Sequence, residues 1–299
     1  MSHPVLAGVD GSEHSLAAAG WAAREAASRG VPLRLLHASP PLPGPAVPAP
    51  AADRLHQLGE RTLQRAAADL GDRCPDVEVL CEQTDDDPAV ALLAAARDAG
   101  LLVVGTRGTG GFDGLAVGRV ALRVAAAAPC PVVLVPEQPG AFGEGERPPA
   151  AQGADQVVTG FDAHHPVGEV ADFAFSAAGA RGAGLRVVQA WALPAEAVSA
   201  QTLVVTEEDR ATWEDQEVLR LSDALRPWRQ KYPHVAVHTD VLLLHPAEAL
   251  LNASQGAALL VVGRRTDPRA RAAEGRLGPI THAVLDHARC PVAVVPHAG

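Results

Sequence analysis

The chain alternates short, almost wholly apolar runs with longer stretches whose apolar residues recur at helical spacing. LRLLHA at 33–38, LLVVG at 101–105 and PVVLV at 131–135 show little polar alternation. That is the pattern of strands buried on both faces of a parallel sheet. Between them, a helix is predicted to start after Asp10-Gly11, with Ser12 as its N-cap and Gly30 closing it. Its apolar face is predicted from Leu16, Ala19, Ala23 and Ala27. A second start signal is Asp87-Pro88, a capping residue followed by proline at the first helical position, with a stop at Gly100. Another helix runs up to Pro129, and Cys130-Pro131 leads into a closing strand. Strands and helices in alternation predict an open α/β sheet with helices on both faces. The proline-rich stretch 40–50 predicts an extended surface loop.

The whole pattern occurs twice. VLAGVDGS (5–12) is answered by VVTGFDAH (157–164), LRLLHA by LRVVQA (185–190), LLVVGTRG (101–108) by LLVVGRRT (259–266), and CPVVLVP (130–136) by CPVAVVP (290–296). Self-similarity of this kind organises the fold before any residue chemistry does. It predicts two tandem five-stranded domains, 1–136 and 154–299, joined by a Gly/Pro-rich linker over 137–153. The second copy is predicted to hold a longer amphipathic helix over Glu207–Arg229, with Trp213, Val218, Leu221 and Leu225 in one stripe.

Composition narrows the chemistry. Of 299 residues, 47% are hydrophobic and 3% aromatic, so the cores rest on Ala, Val and Leu. The net charge of −10 argues against a nucleic-acid binder, which normally shows a basic stripe. Lys231 is the only lysine, which leaves no P-loop or Schiff-base lysine elsewhere. No apolar run approaches the roughly 18 residues of a membrane span, and the first ten residues lack a secretory pattern. The four cysteines have no C-x-x-C spacing, so the expected setting is the cytoplasm with reduced thiols.

The most informative segment is VVGTRGTGGFDGLAVGRV, 103–120, in which Gly105, Gly108 and Gly118 form G-x2-G-x9-G between a strand and a helix. Glycines let backbone amides converge on an anion, and the helix N-terminus adds partial positive charge. With the strand-end Asp10 and the closing C-P-V-x-x-V-P strand, this loop resembles the universal stress protein family in its tandem-domain form. The resemblance covers both halves of the chain. It implies a five-stranded parallel sheet of the adenine-nucleotide α-hydrolase-like kind. It also implies antiparallel pairing of the two closing strands into an intramolecular pseudo-dimer, with association of two chains left open.

The resemblance further implies ATP, with or without Mg²⁺, as the ligand of one subclass. Carried onto this sequence, Gly8, Val9 and Asp10 would face adenine and ribose, and the backbone of Ala38 the adenine edge. Val104, Gly105, Arg107 and Gly108 would wrap the ribose and phosphates, with Gly118, Arg119 and Val120 closing over the triphosphate. The family motif ends in Gly-Ser or Gly-Thr, whereas here Arg119 follows Gly118. Two readings stand: a charge-assisted phosphate contact, or a side chain in solvent. In the second copy Asp162, Ala190, Gly263 and Gly278 hold matching positions as a weaker site. Thr266 replaces a glycine there, and Pro279 after Gly278 removes an N–H donor. Arg264, Arg265, Arg269 and Arg271 read as a solvated basic loop.

Plainer roles compete at several positions. Asp10 is also a natural residue for the turn into the first helix, and Asp85–Asp87 suit a helix N-terminus without any metal. His164, His165, His282 and His287 lack zinc-site spacing and read as surface residues. Cys130 and Cys290 read as buried packing. No G-x-S-x-G or G-x-x-x-x-G-K-[ST] motif is present, so no catalytic residue is expected. The expected function is a nucleotide-sensitive stress-response regulator that contacts some protein partner. A nucleotide-free scaffold of the same fold is the alternative.

Overall fold

The computed structural model describes residues 3–39, 49–108, 117–136, 156–193, 206–266 and 275–298. The linker 137–153, residues 40–48 of the proline-rich stretch, and Arg269 and Arg271 lie outside these described residues. The chain divides into two compact units, 1–147 with 264–278 and 291–299, and 148–263 with 279–290.

In the first unit, β1 (Val5–Gly8) lies between β2 (Leu33–Ala38) and β4 (Leu101–Gly105), all parallel. β3 (Val79–Thr84) extends the sheet beyond β2, and β5 (Val132–Val135) extends it beyond β4. The strand order therefore reverses between β1 and β4, which opens a crevice at their carboxyl ends. Leu6, Leu33, Leu35, Leu101, Leu102 and Leu134 are fully buried, as their unbroken apolar runs require. The expected antiparallel pairing of closing strands is present. β10 (Val292–Ala298) runs against β5, with Val292 opposite Leu134 and Val294 opposite Val132.

Helix α1 (Glu13–Arg29) has the predicted ends. Ser12 accepts the Ser15 amide at 3.2 Å, and Gly30, at φ 61°, donates to the carbonyls of Ala26 and Ala27. Its buried face differs from the prediction, because Leu16 is half-buried and Ala27 exposed. Ala19 and Ala23 are buried as predicted, and Ala18, Ala22 and Ala26 join them. An alanine-rich helix offers little contrast between its faces, and the smallest residues allow the closest approach to the strands. Helix α2 spans Ala49–Arg73, so Ala49 and Pro50 open a helix where the loop was expected to continue. Helix α3 (Pro88–Ala95) is capped by Asp87, which accepts the Val90 amide at 3.2 Å, and it continues as a 3-10 turn to Asp98. Helix α4 (Arg119–Ala127) follows the glycine loop.

The second unit repeats the plan. β6 (Gln156–Gly160) pairs in parallel with β7 (Gly184–Ala190) and with β9 (Leu259–Thr266), and β8 (Val237–Leu242) flanks β7. Its helices are α5 (Gly168–Arg181), α6 (Glu207–Lys231), α7 (Pro246–Ala253) and α8 (Pro279–His287). In α6 only Leu221 and Leu225 are buried, and Val218, expected on the inner stripe, is exposed together with Leu219. The half-buried stripe runs instead through Glu217, Ala224 and Trp228, because Glu217 has polar partners inside. Among the described residues, no helix is long and apolar enough to cross a membrane.

Candidate functional site

The crevice at the β1/β4 reversal holds a cavity of about 690 Å³, within the usual range for small-molecule sites. Gly8, Val9, Asp10, Ala38, Val104, Gly105, Arg107, Gly108, Gly118, Arg119 and Val120 all line it. Residues far apart in sequence thus converge because three strands end together there.

Backbone geometry shapes the floor. The Val9 amide donates to Leu36 O at 2.9 Å, and the Val9 carbonyl accepts His37 Nδ1 at 2.7 Å. His37 Nε2 lies 2.8 Å from Ser39 Oγ, which fixes the ring. Asp10 Oδ1 accepts from the Ser12 amide at 3.0 Å and from the Ser12 hydroxyl at 2.6 Å, so Asp10 does build the turn into α1. A Cβ would crowd two glycines, Gly105 against backbone and Gly108 against the end of a side chain. A Cβ on Gly105 would lie 2.8 Å from the carbonyl carbon and oxygen of His14, and one on Gly108 would lie 2.4 Å from Asp10 Oδ2. Gly118 is different: its Cβ would meet Thr106 O at an ordinary 3.5 Å. Its role lies in its amide, which donates to Thr106 O at 2.7 Å and ties the two ends of the loop together. As N-cap of α4 it offers no side-chain acceptor, so the first-turn amides keep no side-chain partner from their cap. Residues 109–116 of the loop lie outside the described residues.

Several lining residues escaped the sequence reading. Leu55, Leu58, Gly59 and Thr62 form one face of α2 along the cavity. Their i, i+3, i+4, i+7 spacing was the available signal. A Cβ on Gly59 would come within 2.6 Å of both His37 and Gln83, so glycine lets the helix close on these side chains. Arg123 Nη1 pairs with Asp87 Oδ1 at 3.1 Å, and both line the cavity. Arg107 and Arg119 line it too, so among the described residues the charged lining is three guanidinium groups and two carboxylates, Asp10 and Asp87.

Of the weaker second site's residues, two line a common cavity and two do not. A smaller cavity, about 360 Å³, is lined by Asp162, Ala190, Gln189, Trp191 and Glu217 among others, but not by Gly263 or Gly278. Gly263 instead lends its carbonyl to Thr281 Oγ1 at 3.0 Å. Gln189, buried where the first repeat has His37, accepts the Ala163 amide and donates to Glu217, which also meets His164 and Arg220. Asp162 accepts the His164 amide at 2.9 Å and pairs with His165 at 3.2 Å. The reading of Arg264 as part of a solvated loop is also corrected. It is 5% exposed, and its Nη2 donates to Ala128 O at 2.6 Å. Arg265 is exposed. Cys130 and Cys290 are buried as expected, and burial pushes both thiols up to about 11. Among the described residues, no group of three or more His, Cys, Asp or Glu is placed to hold a metal ion.

A glycine-lined cavity at the switch point of an open parallel sheet is the arrangement of a doubly wound α/β protein, in the place where such sheets hold small ligands. The profile of the universal stress protein family matches residues 1–136 and 153–296. Universal stress protein Rv2005c of Mycobacterium tuberculosis is 31% identical over 302 residues, covering 98% of this chain and 96% of that protein. Universal stress protein Rv1996 of the same species is 28% identical over 321 residues, covering 97% and 94%. A universal stress protein from Archaeoglobus fulgidus shares the fold at a TM-score of 0.64 with 16% identity, covering 100% of this chain and 97% of its own. The chain belongs to the universal stress protein family.

Proposed function

We propose that the chain binds an adenine nucleotide, ATP, in the cavity of its first unit and acts in the cytoplasm as a nucleotide-sensitive regulator. The observation that carries this reading is the cavity at the β1/β4 switch point, where Gly8, Gly105, Gly108 and Gly118 line the space together with Arg107, Arg119 and Arg123. The apolar wall of Val9, Leu36, Leu92 and Val104 suits a base, and Arg107, Arg119 and Arg123 suit the phosphates. In this reading Arg119 replaces the family's hydroxyl with a charge-assisted contact. Mg²⁺ would arrive with the triphosphate, since among the described lining residues the carboxylates are Asp10 and Asp87 alone.

The role is binding rather than turnover, and the nucleotide-filled face of the cavity is the surface a protein partner reads. Calorimetric titration with Mg-ATP is expected to give one site per chain, abolished by Gly108→Val. Two sites would restore the second repeat as a ligand site. No binding at millimolar ATP would leave the scaffold alternative. Phosphate release above background would overturn the non-catalytic role.

A further inference from the structure

We propose that Arg264 is a positioning residue for the first unit's cavity: it holds α4 by its carboxyl end, so that the helix keeps its first turn aimed at the ligand. The inference rests on the nucleotide reading above. Its starting point is a charge in an unusual place. Arginine is seldom fully buried unless paired, because desolvating a guanidinium is costly. Arg264 is 5% exposed, and no carboxylate among the described residues pairs with it.

What it does have is the end of a helix. Ala128 directly follows α4, and its amide closes the last turn on Val124 O at 2.9 Å. Arg264 Nη2 donates to the Ala128 carbonyl at 2.6 Å. The carboxyl end of a helix carries its partial negative charge, so it serves here in place of a counter-ion. Arg264 Nε finds no acceptor among the described residues, so the guanidinium's hydrogen bond to that carbonyl is its hold on the helix. A second contact falls on the same turn. A Cβ on Gly275 would lie 1.7 Å from Ala126 O, so the backbone at Gly275 lies directly on the helix end.

The other end of α4 is the site. Arg119, Val120, Ala121 and Arg123 line the cavity, and the Gly118 amide ties the helix start to Thr106. Nine residues at 1.5 Å each make α4 about 13 Å long. A helix so short moves as one body, and releasing its far end swings the first-turn amides away from the place they face. The repeat alignment adds a pointed detail. Arg264 occupies the position that Thr106 holds in the first copy. The residue that would begin the second copy's own loop is instead engaged in supporting the helix behind the first copy's loop.

The test uses the full chain with Arg264→Met, which keeps the length and removes the charge and the hydrogen bond, and Arg264→Lys, which restores the charge. Calorimetry with ATP and with adenosine reads the effect. Arg264→Met is expected to weaken ATP about tenfold, the equivalent of one good hydrogen bond. Adenosine, which has no phosphate to meet α4, should bind unchanged, and Arg264→Lys should recover most of the loss. Equal weakening of both ligands, or no weakening of ATP, would overturn the proposal. Wild-type protein that binds neither ligand defeats the nucleotide reading itself. Amide hydrogen exchange along α4 in unliganded protein then decides the remainder: faster exchange in Arg264→Met supports the hold on the helix, and unchanged exchange refutes it. Should Arg264→Met fail to fold, Arg264→Gln is read by the same criteria.

Discussion

Gly105→Ala and Gly108→Ala add the same methyl group three residues apart, yet their effects should fall on different properties. The Cβ of Gly105→Ala would sit 2.8 Å from two backbone atoms of His14, in the first turn of α1. Ordinary contact begins near 3.4 Å, so α1 must lift by about 0.6 Å over close-packed side chains. That helix is seated through Ala18, Ala19, Ala22, Ala23 and Ala26, which have no flexible side-chain ends to absorb the shift. Overpacking of this kind typically costs about 1–3 kcal/mol. For a unit of this size, a loss of about 2 kcal/mol lowers the melting temperature by roughly 4–8 °C. The Cβ of Gly108→Ala would instead meet Asp10 Oδ2, and the next nearest atom is 3.6 Å away. A turn of the Asp10 side chain relieves that clash at a cost of about 1 kcal/mol in lost hydrogen bonds to Ser12. Scanning calorimetry of both variants, beside ATP titrations, separates the two. Gly105→Ala should lower the melting temperature more, and Gly108→Ala should lose more affinity for its stability cost. Wild-type stability in Gly105→Ala, or a larger melting shift in Gly108→Ala, would refute the contact argument.

Three further outcomes follow from other parts of the molecule. Asp87→Asn keeps the N-cap on α3 while neutralising the carboxylate that pairs with Arg123, so ATP should bind more tightly. Arg123→Met should bind it more weakly, and calorimetry showing the same sign for both would contradict the charge argument. Cys130 and Cys290, with thiols raised from 9.0 to about 11, stay protonated in the fold after the unfolded thiols ionise. Their stabilising contribution is therefore complete below pH 9 and lost towards pH 11, on the order of 2–3 kcal/mol per thiol. Urea titrations across that window should show the decline, and maleimide at neutral pH should label exposed Cys81 but neither buried thiol. Leu225→Ala, at a fully buried position on α6, should cost about 2–5 kcal/mol in the second unit, read by denaturant unfolding, while ATP affinity stays unchanged.

Much of this was legible wherever a residue type has few conformational or steric alternatives. Ser12, Gly30 and Asp87-Pro88 marked helix ends correctly, because capping leaves little choice of residue. The apolar runs became strands at their predicted places, and the glycine spacing pointed to residues that the fold gathers around one cavity. What failed to show was orientation. In α1 the apolar residues are mostly alanines spread around the helix, so Leu16 and Ala27 looked as suitable for the core as Ala18 and Ala22. In α6 Leu221 and Leu225 are buried as expected, but Val218 is exposed and the inward position falls to Glu217, which accepts from Gln189. Arg264 was misplaced for a related reason: charge predicts solvent, unless a helix end supplies the missing partner.

The pairing of β5 with β10 also bears on how the protein is made. Ribosomal synthesis delivers β1 to β5 first, leaving the Val-rich edge of β5 uncovered until β10 emerges much later. During that interval the nascent first half presents an unpaired strand, a template for any neighbouring copy on the same message. Folding of the first half is thus completed by the arrival of residues 292–294 rather than by its own last strand. Such a long-range closure is slow to form. Translation speed across the intervening stretch therefore sets how long that edge stands open to mispairing.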